Sequence, residues 1–295
     1  MDTKALHCFI VLYRLKNMHK AAEELFISQQ GLSKIIRNLE SEWEVLLFER
    51  SKYGMHPTKA GDYFYQHAVS IQNELEQMKR EIKNTAGGME ELCIACAYGT
   101  LHILYPYLQS FRKQNPSVRI RWKEYPDRDA DCALKNRVVE VAFCVEGSGQ
   151  ESFEHVPLAK RRILLLVHEG HRLWDRKSAA IADLKNEKII VEGDGFHIFS
   201  LLQKKCLEEG FYPDIAAETA EINLCQNLCR MGEGVSITVD FIADISRLPG
   251  VRAIPFSEPD FTWNIIMAWR KKDDLTDTAK KFVQFIQDSL QASPL

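Results

Sequence analysis

Ser28, Gln29, Gln30, Ser33, Lys34 and Arg37 fall on one side of a stretch whose other side carries Leu32, Ile35, Ile36 and Leu39. The apolar positions recur at helical spacing, so the polar set forms one face of a helix. That face has the chemistry of a nucleic-acid reader. A Gln carboxamide presents a donor beside an acceptor, as the major-groove edge of adenine requires, and the free amides of a helix start can meet phosphate. Gln29, Gln30 and Ser33 are the candidates for base or near-base contacts. Ser28, Lys34 and Arg37, with Arg50 and Lys52 further on, are candidates for positioning the backbone. The same residues also fit an ordinary solvated face on a small helical pair.

Several elements must position that face. Ala21, Ala22 and Leu25 give the preceding helix its apolar side, Phe26 and Ile27 break it, and Ser28 can cap the next one. Leu6, Phe9, Ile10, Tyr13 and Leu15 give a first helix able to cover the pair, with Asn17 and Met18 at the break between them. Downstream the chain stays helical into Trp43. Val45, Leu47 and Phe48 then begin a strand, Gly54 and Pro57 make a hairpin, and Thr58 sits where an N-cap would start another helix.

From Phe9 to Gly61 the chain resembles the winged helix-turn-helix of LysR-type transcriptional regulators. The matching pieces are AAEEL, SQQGLSKIIRNLE, LLFER and PTKAG, in that order. Gly31 stands where the family usually has Ala, at a cost in helix propensity. Glu44 replaces a usual turn Gly, and Leu46 a common Pro. The resemblance implies sequence-specific binding to double-stranded DNA with an interrupted dyad, by a homodimer or homotetramer, with RNA polymerase as a further partner.

A chain of 295 residues suits two or three domains. Its formal net charge of -3 excludes a globally basic nucleic-acid coat and leaves a local positive patch as the requirement. Lys20, Lys34, Arg37, Arg50, Lys52 and Lys59 supply candidates, diluted by Glu23, Glu24, Glu40 and Glu42. The N-terminus lacks the basic start and long apolar run of a signal peptide, and no stretch is long and apolar enough to span a membrane. A cytoplasmic protein is expected. Its eight Cys show no small-domain disulfide framework, so free thiols are expected.

Phe64, Ala68, Ile71, Leu75, Met78 and Ile82 alternate in spacings of four and three, as the seam of a two-stranded coiled coil requires. A helix of about 25 residues would be roughly 37 Å long, enough to hold two readers apart. Packing on the helix's own domain is the alternative. Gly87 and Gly88 read as the linker that follows.

From Glu91 the pattern changes to strands and helices in alternation, which implies parallel-type sheets with covering helices. The family's effector domain has this order. Its resemblance to periplasmic binding proteins implies two α/β lobes, with the final strand and helix returning to the first. The expected architecture is α/β with an N-terminal all-α winged helix-turn-helix. Residues 1–58 would form that reader, 59–88 a linker and dimerisation helix, and 89–295 the effector-binding domain. Lobe one would take about 90–160 and 265–295, and lobe two about 161–264.

Ligands of open α/β sheets collect beyond the carboxyl ends of strands and near helix starts. Tyr98 with Thr100, Glu146, Phe196 with His197, and Thr238 with Asp240 meet that description. The family commonly uses a Ser or Thr at the place of Thr100 to hold an effector's carboxylate; a plain N-cap is the alternative reading. His102 could add charge near neutral pH. Glu146 and Asp240 disfavour a plain dicarboxylate if they face the cleft. A ligand with both carboxylate and amine, or an aromatic acid between Tyr98 and Phe196, would reconcile them.

Cys93 and Cys96 are spaced C-x-x-C, but on a strand they face opposite ways. Cys225 and Cys229 share a helical face, and with Cys206 they define an alternative, a redox- or metal-responsive regulator; buried small hydrophobes is the plainer account. No metal, cofactor or catalytic constellation is expected, for there is no phosphate loop, H-E-x-x-H or G-x-S-x-G. A second alternative is a solute-binding module or enzyme whose helical head serves only assembly. The expected function is transcription control by a small metabolite, a carboxylate being one candidate, bound between the lobes.

Overall fold

The computed structural model describes residues 2–51, 54–85, 89–147, 153–193, 195–245, 247–271 and 275–292. The chain divides into two compact units, Met1–Met89 with Lys135–Val138, and Glu90–Leu134 with Val139–Leu295.

The first unit contains α1 (Thr3–Leu15), α2 (Met18–Glu24), α3 (Gln29–Glu42), the strands β1 (Phe48–Ser51) and β2 (Gly54–Pro57), and the long α4 (Lys59–Thr85). Phe9 of α1 is fully buried and meets the rings of Phe48 at 5.1 Å and Phe64 at 4.7 Å, so helix, wing and α4 share one aromatic core. Leu32, Ile36 and Leu39 bury the inner face of α3 on it. The Asn17 side chain accepts from the His19 and Lys20 amides and so caps α2. Both α2 and α3 end in the same way. The amides of Ile27 and Val45 donate to Ala22 and Glu40 carbonyls, and those of Phe26 and Glu44 to Glu23 and Ser41. This double bond normally needs glycine at the left-handed position, yet Phe26 (φ 54°) and Glu44 (φ 52°) hold it here. β1 pairs antiparallel with β2, Arg50 opposite Met55. Gly61 is obligatory, because a Cβ there would lie 2.2 Å from the Leu47 carbonyl oxygen.

The second unit contains, in order, β3 (Glu90–Ala97), α5 (Thr100–Gln114), β4 (Val118–Tyr125), α6 (Asp127–Lys135), β5 (Val141–Val145) and β6 (Glu154–His168). After a 3-10 turn at Ile181–Asn186 follow β7 (Lys188–Glu192), α7 (His197–Glu208), β8 (Asp214–Thr219) and α8 (Ile222–Arg230). The chain continues with β9 (Val235–Val239), α9 (Asp240–Ile245), β10 (Val251–Pro255), β11 (Thr262–Trp269) and α10 (Asp277–Ala292).

The strand order is β4-β3-β5-β11-β6-β9-β7-β8, with β10 also on β6. β6 joins the two lobes. Its first half, Glu154–Arg162, pairs with β11, and Ile163–Leu166 pairs with β9. β11 returns late in the sequence to lie between β5 and β6. The expectation of parallel-type sheets is corrected: β3 and β7 pair parallel with their neighbours, but every pairing of β6 and β11 is antiparallel. α9 and β10 were not expected, and β6 starts earlier than the apolar run RRILLLVHE, its first half being mostly exposed and so lacking a continuous apolar signal.

Candidate DNA-reading face and effector cleft

Ser28 caps α3, its Oγ accepting from the Gly31 amide at 3.0 Å. Gly31 leaves room for that hydroxyl, since a Cβ there would stand 3.1 Å from it. Gln29 and Gln30 are exposed on the first turn, with Lys34 and Arg37 exposed behind them. Arg50 of β1 donates to Ser33 Oγ at 2.9 Å, and Arg37 Nε donates to the Ser33 carbonyl at 3.3 Å. Ser33 is thus half-buried and braced between two guanidinium groups. The structure brings together seven of the eight expected DNA contacts; Lys52 lies outside the described residues. Glu40 plays a part the sequence did not reveal. Its Oε1 accepts from the Leu47 and Phe48 amides at 2.9 and 3.1 Å, tying α3 to the first wing strand.

The seam of α4 is divided. Phe64 and Ala68 pack into the aromatic core of the first unit. Ile71, Met78 and Ile82 are exposed, and Leu75 is half-buried. Gly87 and Gly88 lie outside the described residues.

In the second unit a cavity of about 90 Å³ is lined by Tyr98, Asp127, Glu192, Phe196, Thr238 and Trp263, among others. Tyr98 and Phe196 stack on each other in its wall, ring centroids 6.0 Å apart. Thr238 is buried, and its Oγ1 has no hydrogen-bond partner among the described residues. These three expected residues converge. The other expectations meet a different arrangement. Thr100 is fully buried and donates from Oγ1 to the Ala97 carbonyl at 2.6 Å; Gly99 occupies the cap position of α5. Its hydroxyl is turned back to the strand because that carbonyl lies within reach. His102 is exposed, 6.5 Å from the Phe241 ring. Glu146 is exposed and accepts from Asn264 Nδ2 at 2.8 Å, and Asp240 accepts from Arg161 Nε at 2.9 Å. Neither lines the cavity. The His197 ring packs on Gly147, where a Cβ would meet it at 2.4 Å, and its Nε2 lies 3.7 Å from Asp131.

Among the described residues the acids that line the cavity are Asp127 and Glu192. Asp127 is 2% exposed; Oδ2 accepts from the His197 amide at 2.8 Å, while Oδ1 has no partner among the described residues. Burial pushes its carboxyl up to about 6, partly countered by the bond from His197. Burial, with the charge of Asp127, pushes Glu192 up to about 7. Sequence reasoning missed both: Asp127 opens a run of charges that reads as solvated, and Glu192 ends an apolar strand.

The thiols of Cys206, Cys225 and Cys229 are buried and held protonated. Burial pushes Cys225 and Cys229 up to about 12 and Cys206 to about 11. Among the described residues no group of three or more His, Cys, Asp or Glu could hold a metal ion, and no helix is long and apolar enough to cross a membrane.

A capped helix braced by a wing, followed by a two-lobed α/β domain with a cleft, is the architecture of a DNA-binding regulator with an effector-binding domain. Residues 3–62 match the bacterial regulatory helix-turn-helix proteins of the lysR family, and residues 85–291 match the LysR substrate binding domain. The chain belongs to the LysR family and is a DNA-binding transcriptional regulator. It is 26% identical over 285 residues to the HTH-type transcriptional regulator BenM of Acinetobacter baylyi, covering 94% of this chain and 92% of that protein. It is 22% identical over 310 residues to the hydrogen peroxide-inducible genes activator of Dickeya chrysanthemi, with 99% of each covered. Among solved structures, full-length CbnR complexed with its target DNA is similar at a TM-score of 0.69 and 22% identity, covering 98% of this chain and 100% of CbnR.

Proposed function

We propose that this regulator reads an interrupted dyad in cytoplasmic DNA as a homodimer or homotetramer, and that a small molecule in the cavity of its second unit controls it. Residues 1–58 serve as the reader, 59–88 as linker and dimerisation helix, and 89–295 as the effector domain. Gln29, Gln30 and Ser33 read bases, and Ser28, Lys34, Arg37, Arg50 and Lys52 hold phosphate. The observation that carries this reading is the exposed pair Gln29 and Gln30 on the first turn of a helix capped by Ser28. A first turn that presents carboxamides beside free amides suits base edges and phosphate together.

Ile71, Leu75, Met78 and Ile82 supply one interface between copies, and a contact with RNA polymerase transmits the outcome. The ligand acts only if it binds one arrangement of the oligomer better than another. Redox or metal sensing through Cys206, Cys225 and Cys229 is disfavoured, since neutral buried thiols are poor nucleophiles and poor ligands.

The test is selection of genomic fragments. Purified protein is mixed with sheared host DNA near physiological salt, with and without host cell extract, and bound fragments are sequenced. Enrichment of a few intergenic sites bearing a dyad, altered by extract, is expected. No enrichment in either condition would overturn the reading.

A further inference from the structure

We propose that the cleft takes a small organic cation, a protonated amine held by Asp127, Glu192 and the Thr238 hydroxyl within an aromatic wall. The proposal rests on the reading of this cavity as the effector site, and it specifies what that site binds.

Charge is the first reason. Among the described residues two carboxyls line the cavity and no Arg or Lys does. Arg161 lies 5.5 Å from the Phe241 ring of its wall and already pairs with Asp240. Asp131 adds a further carboxylate near Asp127, and the His197 side chain meets Asp131 rather than the cavity.

Unmet hydrogen bonds are the second, independent reason. Asp127 Oδ1 and Thr238 Oγ1 are both buried without partners among the described residues, although their residues are only 2% and 1% exposed. A buried acceptor left unpaired is costly, so an occupant that donates is favoured there. A primary ammonium has three donors and no acceptor, which suits two carboxylates and a hydroxyl.

Two donors that an anion would use are already engaged. The Thr100 hydroxyl is turned to the Ala97 carbonyl, and the first amide of α7, on His197, meets the chain's own Asp127. The rings of Tyr98, Phe196, Phe241 and Trp263 line the space, and aromatic faces attract cations. The raised carboxyls of Asp127 and Glu192 agree with this, because a bound cation would restore the charged form of each. Among the described residues no group of three or more His, Cys, Asp or Glu could hold a metal ion, so an organic amine fits better than a metal ion.

The test is thermal unfolding of the full-length protein, at a pH above both carboxyl values, with butylammonium chloride, sodium butyrate or sodium chloride at equal tens-of-millimolar concentration. Butylammonium is expected to raise Tm by about 2–4 °C over the sodium chloride control, and butyrate to add nothing. Asp127→Asn, which keeps an acceptor for the His197 amide, and separately Glu192→Gln should each abolish the rise while still unfolding cooperatively. A rise with butyrate that the cleft-filling Thr238→Trp removes would overturn the cation and leave the effector cleft standing. No rise with butylammonium would also overturn the proposal. The cleft reading itself falls only if the response of DNA binding to cell extract persists in Thr238→Trp.

Discussion

The His197 amide donates to Asp127 Oδ2 at 2.8 Å, joining the start of α7 to the start of α6. One carboxylate oxygen thereby satisfies a helix N-terminus, and the other is left buried beside a cavity. An acid so placed gains from the helix dipole and loses from desolvation. The balance falls on the side of desolvation, as the raised carboxyl of Asp127 records.

A pH dependence follows. The carboxyl of Asp127 stands at about 6 against an ordinary 3.8, and that of Glu192 at about 7 against 4.5. The folded chain therefore keeps protons that the unfolded chain releases. The stability these groups contribute is complete below their unfolded values and is lost as pH rises through 6 and 7. While both are protonated only in the folded chain, the slope is about 1.4 kcal/mol per pH unit for each. His197 and Asp131, which also act on Asp127, oppose each other. Urea unfolding of the wild type should weaken across this window relative to the double variant Asp127→Asn, Glu192→Gln. Parallel curves would show that neither carboxyl is raised.

Much of this arrangement was legible in the sequence, for reasons that differ by element. α3 was legible because Leu32, Ile36 and Leu39 repeat at helical spacing behind a capping Ser28. The cleft was legible only in part. Tyr98, Phe196 and Thr238 follow strand ends and line the cavity, whereas Glu192 reaches it only because β7 pairs with β9. Which strands adjoin is set by long-range packing, and no local spacing encodes it. Thr100 shows the opposite limit. Its position was read correctly as a helix start, but the direction of its hydroxyl depends on the Ala97 carbonyl three residues back.

Glu44→Gly should stabilise the first unit. Glu44 holds φ 52° at the left-handed end of α3, where a side chain is strained and glycine is not. Relief of about 1 kcal/mol is expected, read as a higher urea midpoint. An unchanged or lower midpoint would mean that the Glu44 side chain compensates for its backbone.

The exposed half of the α4 seam should govern association. Ile71→Glu with Met78→Glu alters two exposed apolar positions and leaves Phe64 and Ala68 in their core. Light scattering is expected to show a smaller oligomer, with circular dichroism unchanged. An unaltered mass would assign assembly to another surface.

The central claim is that α3 reads sequence through Gln29 and Gln30. The direct measurement is the affinity of the wild type and of Gln29→Ala, Gln30→Ala for a selected genomic fragment and for random DNA of the same length, at one salt concentration. Each lost base contact should weaken cognate binding by about 1–3 kcal/mol, while binding to random DNA, held by Lys34, Arg37 and Arg50, stays nearly constant. The ratio of the two affinities therefore collapses. Equal losses on both DNAs would contradict the account, because Gln29 and Gln30 would then hold the backbone and not read it.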